Sequence, residues 1–299
     1  MPLIYPDPII NNLLGWSTFV IVVLIMLLIF NKQNLQIKNI LIVAFILRLA
    51  CVIIDEYFYE LPGSDMDAFA FEWIAYQYSE KYKLDIISQL FHWDSYFLAK
   101  IISIIYTLLD RSPIMANMFS LGLGTATVYL IYRLAFIIWG KRAALQAGWI
   151  SAIFPTLVLY SSILMRETYI IFFLSYTLIQ CVKCINRNNI FDFIKSVLGF
   201  FIVCLFHASM ILGLFVFLIL IFFQILKRNN YFIHFKKKNL YHLFLLPIIL
   251  VPFLALYLGF FSIPKLGNFK NIGDLDEQTR QMADISKLSI TERIIWKIK

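Results

Sequence analysis

The chain of 299 residues is rich in apolar side chains: 61% are hydrophobic, 17% aromatic and only 15% charged, with a mean hydropathy of +0.79. A soluble domain carries about 45 to 50% apolar and about 25% charged residues, so this chain has too little polar surface to cover itself in water. Its net charge of +8 would suggest nucleic acid in a soluble protein, but here the basic residues stand in short breaks between apolar runs, where they report membrane topology. The composition therefore indicates a membrane protein that does not bind nucleic acid.

Eight apolar runs reach or approach the roughly 20 residues that a membrane-spanning helix requires. The stretch 191–226 is too long for one crossing, so we interpret it as a hairpin of two short helices that turns near His207. We therefore predict an all-α bundle of about eight spans, forming a single membrane domain over residues 1–299. The runs are 13–30, 40–54, 113–139, 144–165, 169–182, 191–206, 208–226 and 240–261.

Lysine and arginine predict the orientation of the bundle, because the cytoplasmic loops of membrane proteins carry an excess of these residues. Every second connection is basic, whereas the segment 55–110 holds ten of the chain's eighteen carboxylates and only three lysines. We therefore expect both ends of the chain and the acidic loop 55–112 to lie outside the cytoplasm. The basic connections contain Lys32, Lys38, Lys141, Arg142, Lys183, Arg187, Lys227, Arg228, Lys236, Lys237 and Lys238.

Two segments do not fit as ordinary spans. The stretch 96–109 is apolar but short and contains Lys100, so we predict an interfacial or re-entrant helix within the acidic loop. The tail 262–299 is polar and closes on an amphipathic stretch that approaches the bilayer surface. This ending leads us to expect a longer protein, with further spans beyond Lys299.

The acidic loop holds the first candidate site, formed by four carboxylates near the mouth of one predicted helix. Asp55 and Glu56 end the second apolar run, and Asp65 and Asp67 follow a turn at 61–64. A carboxylate at a membrane surface is able to act as general base toward a sugar hydroxyl, and two spaced by one residue can share a divalent cation such as Mg²⁺ or Mn²⁺. The structural alternative is that residue 64 or 65 caps the helix and that the other carboxylates are solvated.

Arg166, Arg48 and His207 are the candidate lipid-phosphate-binding residues. An arginine costs about 2.5 to 3.5 kcal/mol at mid-membrane, so it tends to be paired or functional, and its planar fork binds two phosphate oxygens. The structural alternatives are an ion pair of Arg166 with Glu167 and a pairing of Arg48 with Asp55, which shares its helical face. His207 is able to orient a phosphate at the outer face, or it is a buried histidine with satisfied hydrogen bonds.

Three segments resemble bacterial multi-pass proteins of surface polysaccharide loci. They are Leu61-Pro-Gly-Ser-Asp-Met-Asp67 with its Phe71-Glu-Trp-Ile-Ala-Tyr76 helix, the stretch from Phe154-Pro155 to Arg166-Glu167, and Phe206-His-Ala-Ser209. This group includes GT-C-type glycosyltransferases, which use polyprenyl-phosphate sugars. It also includes O-antigen or capsule polymerases, which join polyprenyl-diphosphate repeat units. The resemblance covers roughly residues 40–226.

The resemblance implies a catalytic base among Asp55, Glu56, Asp65 and Asp67, with Asp65 preferred, and a lipid diphosphate held by Arg166. It also implies a polyprenyl-linked sugar donor, a lipid-linked or glycan acceptor, and an active face outside the cytoplasm of a bacterial inner membrane. We therefore expect a membrane glycosyltransferase. The alternatives are a repeat-unit polymerase and, outside enzymes, a flippase for lipid-linked oligosaccharides or another transporter, which would line a central cavity with intramembrane charges.

Overall fold

The computed structural model describes residues 6–31, 33–81, 96–187, 189–207 and 209–228, and within these ranges every regular element is helical. This confirms the predicted all-α class. The chain divides into two compact units, of which the first contains the described residues up to Phe172 and the second those from Phe173 onward.

Ten α-helices and one π-helical turn make up this part of the chain. The π-helical turn covers Ser64–Ala68 and leads directly into α3. The helices are α1 (Pro8–Asn31), α2 (Leu35–Tyr57), α3 (Phe69–Lys81), α4 (Phe97–Leu109), α5 (Pro113–Trp139), α6 (Lys141–Ile153), α7 (Pro155–Tyr160), α8 (Arg166–Arg187), α9 (Ile190–Phe206) and α10 (Met210–Arg228).

Four of the described helices are long and apolar enough to cross a membrane: α1, α2, α5 and α8. They match the first, second, third and fifth predicted runs, which supports a membrane protein. The predicted number of about eight spans is not confirmed. The sixth and seventh runs form the shorter helices α9 and α10, and the eighth run, 240–261, lies outside the described residues.

The fourth predicted run, 144–165, is not one helix. Its backbone leaves the helical conformation at Phe154, which has φ −61° and ψ 118°, because a residue before proline is disfavoured in the α region. The chain restarts as the six-residue helix α7 at Pro155. A turn over 161–164 then leads into α8, which begins at Arg166. This broken segment lies at the centre of the site described below.

Helix α5 is the central helix of the first unit and packs against α1, α2 and α6. Its sequence defines its start, because Pro113 stands in the first turn and the Ser112 side chain accepts a hydrogen bond from Met115 N at 3.1 Å. Small residues allow the close approach that membrane helices require. A Cβ on Gly124 would overlap the side chain of Ser161 and lie 3.1 Å from Arg48 Nε.

Polar side chains tie three helix ends together in the first unit. Ser112 donates to the Asn11 backbone carbonyl and to its Oδ1 at 2.9 Å each. Tyr57, the last residue of α2, donates to Asn12 Oδ1 at 2.6 Å. The start of α1, the end of α2 and the start of α5 therefore lie at one end of this unit, where α3 and α4 also pack against each other.

Helix α4 occupies the stretch for which the sequence predicts a short separate helix, and its residues 97–109 confirm that helix. Its buried face includes Lys100 and Tyr106, whereas Leu108 is 75% exposed. The helix is too short to be one of the four candidate spans. Its predicted place at the membrane interface stays a prediction.

The second unit contains α9 and α10 with the part of α8 that begins at Phe173. Helix α9 ends at Phe206 and α10 starts at Met210, so the predicted hairpin that turns near His207 is confirmed. Phe200 and Phe217 join its two arms, with ring centroids 4.9 Å apart. Ser196 Oγ donates to the backbone carbonyl of Thr177 at 3.2 Å, which ties α9 to α8.

We expect Gly124→Ala to lower the free energy of unfolding by about 1 to 3 kcal/mol, the usual cost of inserting a methyl group into a packed core. The added carbon has no room between Ser161 and Arg48, so the backbone of α5 has to shift. The measurement is thermal unfolding of the detergent-solubilised protein. Gly122→Ala is the matched control, because its Cβ meets only the movable methyl groups of Val22. Equal loss in both variants would contradict the close packing at Gly124.

Candidate functional site

Asp55, near the end of α2, accepts two hydrogen bonds that position the turn at 61–64. Its Oδ1 accepts a hydrogen bond from Leu61 N at 2.8 Å, and its Oδ2 accepts one from Ser64 Oγ at 2.8 Å. The side chain is buried, with 4% exposed. Asp55 therefore holds the turn at 61–64 over the end of α2, and Ser64 points to Asp55 instead of capping the helix that follows.

Asp65 and Asp67 stand in the π-helical turn Ser64–Ala68, which we call the acidic turn. Gly63 precedes it with φ +90°, a left-handed conformation that glycine adopts without strain. The residue at the N-cap position is this glycine, so the predicted cap by residue 64 or 65 is wrong. Asp65 is half-buried and Asp67 is exposed, while Glu56 is half-buried on α2.

The acidic turn packs directly against the segment that precedes Arg166. Ala68, the last residue of the turn, forms a buried cluster with Ile163 and Met165, which Tyr160 covers. The Arg166 guanidinium lies over the ring of Phe71 on α3, 5.7 Å from its centroid. The structure therefore places the acidic turn against the segment that leads to Arg166, although 99 residues separate Asp67 from Arg166 in the chain.

Arg166 retains the capacity to bind an anion. Its Nε donates to Glu167 Oε1 at a long 3.4 Å, and the two side chains are 19% and 33% exposed. The predicted ion pair between Arg166 and Glu167 therefore forms, but it uses only one of the five N–H donors of the guanidinium. No other residue in the described ranges accepts a hydrogen bond from this guanidinium. Glu167 Oε2 is enclosed without a partner.

Arg48 is fully buried near the middle of α2, with 1% exposed. Its Nε donates to Ser161 Oγ at 2.7 Å, and its Nη1 donates to the carbonyls of Ala44 at 2.9 Å and Ala152 at 3.3 Å. The predicted pairing with Asp55 is therefore replaced by contacts with neutral groups. Ala152 lies in the last turn of α6, whose carbonyls have no intrahelical partner, so Arg48 caps the helix that ends at the break.

His207 belongs to the second unit and ends α9. Its backbone N–H donates to Val203 O at 3.1 Å, and its Nδ1 lies 3.1 Å from Ser209 Oγ. The ring is half-buried. A role for His207 in holding a phosphate stays a prediction.

A buried charged pair, Glu72 and Arg111, was not among the predicted site residues. Arg111 Nε and Nη2 donate to Glu72 Oε1 and Oε2 at 2.8 and 2.7 Å, a bidentate pair in which both residues are about 95% buried. The guanidinium also lies over the rings of Tyr76 and Trp73, 4.3 and 5.3 Å from their centroids. This arrangement fastens the connection before α5 to α3.

Tyr106 of α4 completes this network by donating to Glu72 Oε1 at 3.2 Å. Burial and then the adjacent carboxylate raise the pKa of Tyr106 well above its usual value, so the phenol stays a donor. Burial alone would lower the pKa of Arg111, but the charge and hydrogen bonds of Glu72 outweigh it and the pKa is raised. Asp110 has φ +92° and ψ 167°, a strained conformation that directs the chain into this contact.

Helical periodicity contains the signal that would have found Glu72. The buried residues of the acidic turn and α3 are Ala68, Phe71, Glu72, Ala75 and Ser79, and their spacing is that of one helical face. A carboxylate among them must be paired, because an isolated buried charge is very costly. The sequence shows that Glu72 requires a partner, but it does not identify Arg111 as that partner.

Within the described ranges, no three His, Cys, Asp or Glu side chains come together in a group that could hold a metal ion. The divalent cation that the acidic pair suggests stays a prediction. Comparison with known proteins finds no matching family model, curated protein or solved structure.

We expect Glu72→Gln to lower the free energy of unfolding by about 3 to 5 kcal/mol, because it removes the charge that Glu72 places against the buried Arg111. Thermal unfolding in detergent measures the effect. Glu80→Gln, at an exposed position on the same helix, is the control and should cost less than about 1 kcal/mol. Equal unfolding temperatures for the two variants would contradict the proposed importance of the Glu72 network.

Proposed function

We propose that this protein is a membrane glycosyltransferase of the GT-C type, acting outside the cytoplasm on polyprenyl-linked sugars in surface polysaccharide assembly. One observation carries the proposal: the acidic turn packs on the segment that ends at Arg166. A base and a phosphate-binding cation are the two groups that glycosyl transfer from a lipid phosphate needs. The donor would be membrane-bound, which suits a site built at the end of membrane helices.

The carboxylates differ in their suitability as the base. Asp55 is 4% exposed and holds the turn at 61–64. Asp65 is half-buried, which favours it over Asp55 as the base, and Asp67 is the more exposed alternative. In the proposed reaction the Asp65 carboxylate takes the proton of an acceptor hydroxyl, whose oxygen attacks the anomeric carbon of the donor. The bond from that carbon to the phosphate oxygen breaks, and polyprenyl phosphate or diphosphate leaves with its charge stabilised by Arg166.

A polymerase would use the same two groups and differ in its donor, which is a whole repeat unit. Deletion of the gene distinguishes the two enzymes. A truncated repeat unit on the lipid carrier supports the glycosyltransferase, whereas a complete single repeat without a ladder of longer chains identifies a polymerase. Loss of surface glycan together with accumulation of the complete lipid-linked oligosaccharide in the inner leaflet would identify a flippase.

We expect Asp65→Asn and Arg166→Gln each to reduce glycosyl transfer by about 10² to 10⁴-fold, since one removes the base and the other the phosphate partner. Lipid-linked glycan from cells that carry each variant is the measurement. Both proteins should keep the unfolding temperature of the wild type within a few degrees, because the two side chains are partly exposed.

Glu60→Gln and Arg133→Gln are the matched controls for charge removal. Glu60 lies in the same loop and Arg133 on the exposed face of α5, and the proposal gives neither a role. Undiminished glycan in Asp65→Asn combined with Asp67→Asn would exclude both carboxylates as the base. Loss of glycan in all four charge variants would show that the effect is not specific to the site.

The proposal requires the acidic turn to face the outside. In a cysteine-free background, we expect Met66→Cys to react in whole cells with a thiol reagent that does not cross the membrane, because this side chain is 67% exposed. Arg142→Cys, exposed at the start of α6, should react only after the cells are broken. The opposite labelling pattern would reverse the predicted orientation.

A further inference from the structure

The described carboxylates of the first unit gather at one of its ends. This is the end where the starts of α1 and α5 meet the end of α2. The opposite end, where α5 finishes and α2 and α6 start, contains no described carboxylate. The carboxylates stand just before α1, at the end of α2, between α2 and α5, and at the start of α8: Asp7, Asp55, Glu56, Glu60, Asp65, Asp67, Glu72, Glu80, Asp110 and Glu167.

Packing brings three helix ends together at this opposite end. Ile37 near the start of α2, Ala135 near the end of α5 and Ala144 in the first turn of α6 belong to one buried cluster. Gly148 allows α6 to approach α2 closely, since a Cβ there would lie 3.3 Å from Ile40 Cδ1. The cations on these helix ends therefore lie at one end of the unit, which we call the basic end: Lys38, Arg133, Lys141 and Arg142.

The charge of the basic end is not balanced by any described carboxylate. Three of its cations are exposed and Lys38 is half-buried. None of the four forms an ion pair within the described residues, whereas Arg111 and Arg166 each pair with a glutamate. The first turn of α6 adds to the positive potential, because it contains no acidic residue and no side chain caps it. In the described part of the chain, the basic end is thus a surface of uncompensated positive charge.

An exposed tryptophan indicates that this charge lies at the level of lipid headgroups. Trp139 ends α5 and is 71% exposed, two residues before Lys141. Tryptophan is enriched where membrane helices meet water, because its ring is apolar and its indole N–H binds polar groups. Helix α5 is long and apolar enough to cross a membrane, so its last turn would reach the layer that contains the phospholipid phosphates.

We propose that the basic end binds the headgroups of anionic phospholipids from the bilayer leaflet that surrounds it. Lysine and arginine clusters beside a membrane span attract anionic lipid, and each such cation strengthens binding by roughly 5-fold. Positive charge that served only to orient the chain during insertion would give no such affinity. Arg166, the phosphate partner in the proposed glycosyl transfer, lies near the acidic turn at the other end of the unit, so the lipid surface does not depend on that function.

The test is thermal unfolding of the full chain in a neutral detergent at low ionic strength, with short-chain phosphatidylglycerol or phosphatidylcholine of the same acyl chains added. Phosphatidylglycerol at about 100 times its Kd should raise the unfolding temperature by several degrees, because it binds the folded state. Phosphatidylcholine, whose headgroup carries no net charge, should not raise it. No rise with phosphatidylglycerol, or equal rises with both lipids, overturns the proposal.

The diagnostic variant combines Lys38→Gln, Lys141→Gln and Arg142→Gln. It should need about 10²-fold more phosphatidylglycerol for the same rise, because it lacks three cations that contribute roughly 5-fold each. Without lipid it should unfold within a few degrees of the wild type, since no ion pair within the described residues is lost. Arg142→Gln alone should need about 5-fold more lipid, which keeps the test decisive if the triple variant does not fold.

Lys141→Arg combined with Arg142→Lys is the matched control. It keeps every charge of the basic end, so it should retain the response of the wild type. Arg166→Gln should retain the response as well. An undiminished response in the triple variant, or a lost response in Arg166→Gln, places the lipid elsewhere and overturns the proposal. The assay measures no glycosyl transfer, so its outcome is independent of the function proposed above.

Discussion

The hydrogen bonds of Arg48 are the interaction on which the rest of the first unit depends. Pro155 prevents the fourth apolar segment from continuing as one helix, and the break leaves carbonyl groups without partners inside the bundle. Arg48 binds the carbonyl of Ala152 before the break and the hydroxyl of Ser161 after it. Gly124 provides the space for this contact on α5. One buried cation therefore stabilises both sides of the helix break.

The candidate site follows from that break. The turn after Ser161 directs Ile163 and Met165 against the acidic turn, and Arg166 comes next on α8. Helix α3, which follows the acidic turn, is held in place by Glu72 and Arg111. Two buried arginines thus hold the elements that carry Asp65, Asp67 and Arg166, which are themselves partly exposed. The rigid contacts are buried and the candidate reactive groups are accessible, as precise positioning requires.

Local features were predictable from the sequence, whereas long-range side-chain contacts were not. An apolar run of sufficient length identifies a span by itself, so α1, α2, α5 and the hairpin near His207 follow directly. Ser161 lies 113 residues from Arg48, and Glu72 lies 39 residues from Arg111. In the sequence alone, several other carboxylates or hydroxyls would serve each arginine equally well as a hydrogen-bond acceptor. The predicted pairing of Arg48 with Asp55 was wrong for this reason. In the structure Arg48 donates to Ser161, whereas Asp55 accepts from Leu61 and Ser64.

The central claim is that the acidic turn lies against the segment leading to Arg166, and disulfide cross-linking in native membranes tests it most directly. Ala68→Cys and Met165→Cys would be combined in a chain whose four native cysteines have been replaced. We expect this pair to form a disulfide under mild oxidation, whereas Ala68→Cys with Trp139→Cys, at the far end of α5, should not. A folded protein in which the first pair stays reduced, or in which both pairs cross-link equally, would contradict the account.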